Sequence, residues 1–189
     1  LEGLAYRFVP VNNPTPKGSV DFGKVNTDIM YDNVMNKFAY GNMELPGVYL
    51  DETNRRLSYN PRNAFGRLAS QLNAEGKKEE AIKALDLAME KMPESKFAFN
   101  YFIFSVLEGY YQAGAKEKGN GMLMLFAERL DEELAYYQQF KGSKREAVQQ
   151  EIQSAAQYYQ MLLRLYQQYE APGENIQESE FFKRYQNAL

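Results

Sequence analysis

The chain has 189 residues, 44% hydrophobic and 25% charged, with a net charge of -3. That is enough for one domain with a proper core or a short repeat array with a cap, and it gives no basis for a nucleic-acid or anionic-membrane partner. Cys and His are both absent, which removes disulfides, thiolate nucleophiles, Cys-based zinc sites, and the commonest general base and metal ligand. A binding or structural module without catalysis or cofactor is the expectation. The redox compartment stays open, and no apolar run approaches the roughly 20 residues of a membrane span.

The chain starts Leu1-Glu2-Gly3, without Met, as a fragment or processed product would. Residues 1–25 read as an irregular linker. Within it, Leu4–Pro10 (LAYRFVP) suits a short extended segment. Asn12–Ser19 is turn material, because Pro14 and Pro16 block a helix. Asn26–Phe38 predicts a helix with Asn26 or Thr27 as N-cap and Asp28 in the first turn. Met30, Val34 and Phe38 share one face of it. Gly41–Leu50 is a loop turning at Pro46-Gly47. Asp51 caps a short helix through Leu57, and Asn60 caps the next, with Pro61 at the favoured first position. Asp51, Glu52, Arg55, Arg56, Arg62 and Arg67 crowd this region. They are expected to form an internal charged network, the alternative being an anion-binding surface.

Asn63–Pro93 has the residues of one helix–turn–helix repeat. Counting from Arg62, Phe65 and Leu72 fill large slots of the first helix, with Leu68 and small Ala69 between them. Gly76 stops it, Ala81, Leu85 and Ala88 belong to the second helix, and Pro93 closes the unit. Small residues allow close approach and large ones fill around it. The spacing is that of a tetratricopeptide (TPR) repeat, about 34 residues long and primarily an interaction scaffold. The clean repeat covers 62–95. A degenerate one follows at about 100–133, with Gly114 and Gly119 standing 38 residues after Gly76 and Ala81. Its first helix is expected over Lys96–Ala113 and its second from about Ala115 to Leu130.

Ser143 and Glu146 have capping-box spacing, predicting a helix over 144–170. Val148, Ile152, Ala155, Tyr159, Leu162, Tyr166 and Tyr169 form a heptad seam. Packing within the domain is the expected use, and a homodimeric coiled coil is the alternative. Ala171–Asn175 breaks the helix, and 177–189 forms a last one with Phe181, Phe182 and Tyr185 as contact face. The fold class is all-α. TPR-like hairpins of a right-handed α-α superhelix, capped by long C-terminal helices, make a single domain over 26–189.

LAYRFVP, MYDNVMNKFAYGNM and PGVYLDETNRRL, in this order before the repeat, resemble the C-terminal soluble region of a family of bacterial multi-spanning membrane proteins. That family is related to protein O-mannosyltransferases, and the likeness covers roughly residues 4–140. The resemblance implies a membrane part preceding this chain and a position on the extracytoplasmic, periplasmic face. It implies catalytic acidic residues in the membrane part, none of which maps onto this chain. The expected role is a non-catalytic scaffold that braces its own membrane region or holds an acceptor protein or peptide.

In a TPR repeat, positions 2, 5, 9 and 12 of the first helix line the concave face. Here these are Asn63, Gly66, Ser70 and Asn73, then Tyr101, Phe104, Glu108 and Tyr111. Asn side chains there would bond a peptide backbone and Tyr rings would pack on it; burial of Tyr101 and Phe104 under later helices is the other reading. Gly66 and Ser70 replace the Lys and Asn of the chaperone-tail clamp. The 15 Tyr residues keep a carbohydrate-binding module open as an alternative. Glu79-Glu80 and Glu132-Glu133 point apart on their helices and make no acid–base pair.

Overall fold

A computed structural model describes residues 1–8, 10, 23–57, 59–173, 175, 177 and 179–188. Among them every regular element is helical: α1 Thr27–Asp32, running on as a π turn over Asn33–Lys37, then α2 Glu52–Leu57, α3 Tyr59–Ala74, α4 Lys78–Lys91, α5 Ile103–Ala113, α6 Lys116–Gln138, α7 Ser143–Ala147, α8 Gln149–Tyr169 and α9 Glu180–Ala188. The turn material at 12–19 lies outside the described residues. Leu4–Phe8 is irregular rather than paired with a strand. The sequence reading places one domain over 26–189; the chain groups into two compact units, Leu1–Lys116 and Glu117–Leu189. That boundary cuts the expected second repeat between its helices.

In the first unit, α3 and α4 form a hairpin from the alternation of large and small residues. Phe65, Leu68, Ala69 and Leu72 on α3 are buried, as are Ala81, Ala84, Leu85 and Ala88 on α4. Helix α3 starts one residue before Asn60, so Asn60 and Pro61 lie in its first turn, where Pro removes no needed donor. Gly76 takes φ 78°. The Lys77 N–H then reaches the Leu72 carbonyl at 2.9 Å and the Gly76 N–H reaches Asn73 at 3.0 Å. This 6→1, 5→2 pair of bonds satisfies carbonyls a helix end leaves open. The same arrangement ends α5, with Gly114 at φ 86° and Ala115 bonded to Tyr110.

Helix α5 seats on the hairpin through two glycines. A Cβ on Gly66 of α3 would stand 2.1 Å from the Ser105 hydroxyl and 2.5 Å from its Cβ. A Cβ on Gly109 of α5 would stand 3.0 Å from Leu85 and 3.3 Å from Ala69.

The helix expected from Lys96 starts instead at Ile103. The reason lies on α3. Arg62 is wholly buried and donates to the carbonyls of Met92 (2.7 Å), Phe97 and Ala98 (3.1 Å). Carbonyls turned toward a guanidinium cannot also build a helical ladder, so 93–102 stays irregular. The expected helix over Asn26–Phe38 divides into α1 and the π turn. Asn26 caps it, accepting from the Ile29 N–H at 3.2 Å. Lys77 ties α1 to the α3–α4 turn, pairing with Asp28 at 2.8 Å and Glu75 at 3.0 Å.

In the second unit, α6 runs unbroken to Gln138, beyond the expected end near Leu130. The capping box is not used. Gly142, at φ 56°, takes the cap position, and its carbonyl accepts from the Arg145 and Glu146 N–H groups. Ser143 therefore already lies inside the helix. A break at Val148 separates α7 from α8. Along α8, Ala155, Tyr159, Leu162 and Leu163 are buried. Phe181 and Tyr185 of α9 cover Tyr159 at ring separations of 5.7 and 5.3 Å, and Phe181 stacks on Tyr166 at 5.2 Å. Arg184 clamps α9 to Asp131 of α6 at 2.5 Å. At Tyr159 and Tyr166 the heptad seam is covered by the chain's own aromatic rings.

Candidate functional site

The eight first-helix positions separate by burial. Gly66, Phe104 and Tyr111 are buried, and Asn73 donates to the Gly109 carbonyl at 3.0 Å. Gly66 and Asn73 hold α3 and α5 together, and buried Phe104 and Tyr111 present little to a ligand. Ser70, Tyr101 and Glu108 are exposed, and Asn63 is half-buried. Tyr101 packs on its own turn, 5.9 Å from the Phe102 ring and 6.4 Å from Phe104.

The charged group does not form the one expected network but divides four ways. Asp51 caps α2, its carboxylate accepting from the Asn54 N–H at 2.7 Å. Glu52, Arg55 and Arg56 are exposed, and among the described residues none of them forms an ion pair. Helix α2 buries no residue at all. Arg62 is a core cation. Burial pushes its pKa down to about 10, so it remains charged at neutral pH. Three carbonyls and the faces of Phe97 and Phe99, 5.9 and 5.6 Å away, offset its desolvation. Arg67 turns to the N-terminal segment. It donates to the Tyr6 hydroxyl and, at 3.1 Å, to the Gly23 carbonyl, with its guanidinium 5.7 Å from the Tyr6 ring centre.

Through that last contact the structure brings one residue of each predicted set together. Asn63 and Arg67 line a cavity of about 470 Å³, with Asn60 and Pro61 of α3, Leu57 of α2, and Leu4 and Tyr6 of the N-terminal segment. A second cavity of about 420 Å³ is also lined by Tyr6, with Arg7 and Lys24. Asn60 and Tyr6 escape a sequence reading because one looks like a cap and the other like a linker residue. The local signal for Asn60 is the stripe Asn60, Asn63, Arg67, spaced three and four residues apart on one helix face.

Other shifted groups belong to the scaffold. The Tyr40 hydroxyl donates to the Val34 carbonyl at 2.7 Å, and burial pushes its pKa up to about 12. Tyr110 donates to Asp86 at 2.9 Å, and burial, then the Asp86 charge, raises its pKa. Among the described residues, no three acidic, His or Cys side chains are grouped to hold a metal ion, and no helix is long and apolar enough to cross a membrane. No family model, curated protein or solved structure matches this chain.

Proposed function

We propose that this chain is a non-catalytic interaction domain with TPR-like hairpins. In this reading it belongs to a membrane protein of the O-mannosyltransferase-related type and stands on the extracytoplasmic face. It braces the membrane region of its own protein or holds an acceptor protein beside it. The observation that carries the reading is the set of polar and aromatic side chains left at the first-helix positions: Ser70 on α3, Tyr101 in the turn before α5 and Glu108 on α5 are exposed although their neighbours on α3 and α5 are committed to packing. The paired turns at Gly76 and Gly114 support a repeat, and the blocks LAYRFVP and PGVYLDETNRRL support the membrane-protein relationship.

Photocrosslinking of the full-length protein in its native membrane tests this. A photoreactive residue at position 101 or 108 is expected to give an adduct with an extracytoplasmic protein or with the membrane region of the same protein. Ser70→Arg should lower the yield severalfold without loss of expression. Adducts absent from both positions, or unaffected by Ser70→Arg, would overturn it. The coding frame upstream of Leu1 is a separate check: several hydrophobic spans are expected, and their absence sinks the membrane-protein assignment.

A further inference from the structure

The cavity between the N-terminal segment and α3 differs from the rest of the surface in what it collects. Nine large apolar side chains are exposed among the described residues, and three of them, Leu4, Tyr6 and Leu57, line this one space. Each exposes more than half of its surface. Apolar groups left to water around a concave space favour an occupant that covers them. Helix α3 adds polar groups to the lining. Asn60 and Asn63 lie one turn apart on α3, and among the described residues neither side chain forms a hydrogen bond. Each carboxamide offers both a donor and an acceptor, the pair a peptide unit requires. Arg67 is the one charged side chain lining the space among the described residues. Its bonds to Tyr6 and Gly23 hold its positive charge in place. A volume of about 470 Å³ falls within the range of small-ligand sites, roughly 300–1,000 Å³.

We propose that this cavity binds an extended peptide carrying an apolar side chain next to a carboxylate. The apolar side chain lies against Leu4, Leu57 and Pro61. The Asn60 and Asn63 carboxamides bond its backbone, and the Arg67 charge attracts the carboxylate. The carboxylate belongs to an acidic side chain or to a chain end. Two carboxamides and a guanidinium lining the space match a peptide unit and a carboxylate, groups that the acyl interior of a bilayer does not offer. The proposal rests on reading the chain as an interaction domain.

The test is titration of the ¹⁵N-labelled chain with three acetylated probes: Gly-Ser-Gly-Leu with a free carboxyl end, the same peptide as its amide, and Gly-Ser-Leu-Asp as its amide. Saturable shifts of the Asn60 and Asn63 side-chain amide signals are expected from the first or third, and the tighter of the two identifies the source of the carboxylate. The neutral probe should bind at least tenfold more weakly. Asn63→Leu and Leu57→Ser should each weaken binding at least fivefold with the circular dichroism unchanged. No saturable shift at millimolar peptide, or equal binding of charged and neutral probes, overturns the proposal. So does Leu57-dependent sedimentation with phosphatidylglycerol vesicles while the peptides leave the spectrum unchanged. Adducts that persist from positions 101 and 108 in that case leave the interaction reading standing and remove only the peptide cavity.

Discussion

Helices α3 and α5 meet through atoms their residues lack, whereas α8 and α9 meet through atoms their residues carry. In the first pair, Gly66 and Gly109 bring backbones close, and added Cβ atoms would fall 2.1 to 3.3 Å from Ser105, Leu85 and Ala69. In the second pair, Tyr159, Tyr166, Phe181 and Tyr185 fill a wider gap with rings 5.2 to 5.7 Å apart. The two solutions fail in opposite ways. A contact made by closeness cannot accept an added atom without backbone movement, while a contact made by rings can lose an atom only by leaving a void.

The comparison can be broken at four places. The largest effect is expected where the close contact depends on a charge. Arg62→Leu leaves the Met92, Phe97 and Ala98 carbonyls without their donor, and should cost about 4 kcal/mol in urea unfolding. A loss under about 1 kcal/mol would mean that the junction before α5 is ordered by its own turns. Next comes removal of bulk: Phe181→Ala uncovers Tyr159 and Tyr166 and should cost about 3 kcal/mol, with the near-ultraviolet tyrosine dichroism reduced. Addition is expected to cost less. Gly66→Ala should destabilise by about 2 kcal/mol, and Ser105→Gly in the same chain should restore at least half of that. Failure of the rescue would show that the strain lies elsewhere on α5. The smallest effect concerns Tyr159, whose buried hydroxyl faces Asp131 and Arg184 without a well-formed hydrogen bond. Burial, and after it the Asp131 charge, raises its pKa. Tyr159→Phe keeps the ring and removes the unsatisfied group, so stability should hold or rise by up to about 1 kcal/mol. A clear loss in thermal unfolding would reveal that the hydroxyl has a partner after all.

The same contrast separates what is readable from the chain and what is not. The α3–α4 hairpin is legible because its cause is local: Phe65, Ala69, Leu72, Ala81 and Leu85 recur at helical spacing, and Gly76 marks the stop. The start of α5 is not, because the reason for it is Arg62, which lies 30 to 36 residues before the carbonyls it holds. Spacing shows that Arg62 is charged but not that it points inward. The capping box at Ser143 misleads for a related reason. Gly142 can take a left-handed backbone that Ser143 cannot easily match, and so it claims the helix start first. Of the candidate groove, Ser70, Tyr101 and Glu108 keep the exposure the repeat pattern predicts. Gly66 and Asn73 do not, because the register of α5 across α3 cannot be read from either helix alone. The cavity beside Asn63 needs Tyr6 and Arg67, 61 residues apart, to meet, and no local pattern foretells that.

Arg62 also sets a limit on how this chain can diverge. Its acceptors come from Met92, Phe97 and Ala98, so one side chain measures the connection between α4 and α5. A residue inserted there moves at least one carbonyl out of reach, and a residue deleted pulls α5 off the notch that Gly66 and Gly109 provide. A stretch without regular structure is therefore among the least free to change length. Substitutions that keep its backbone in place are the variation it can absorb.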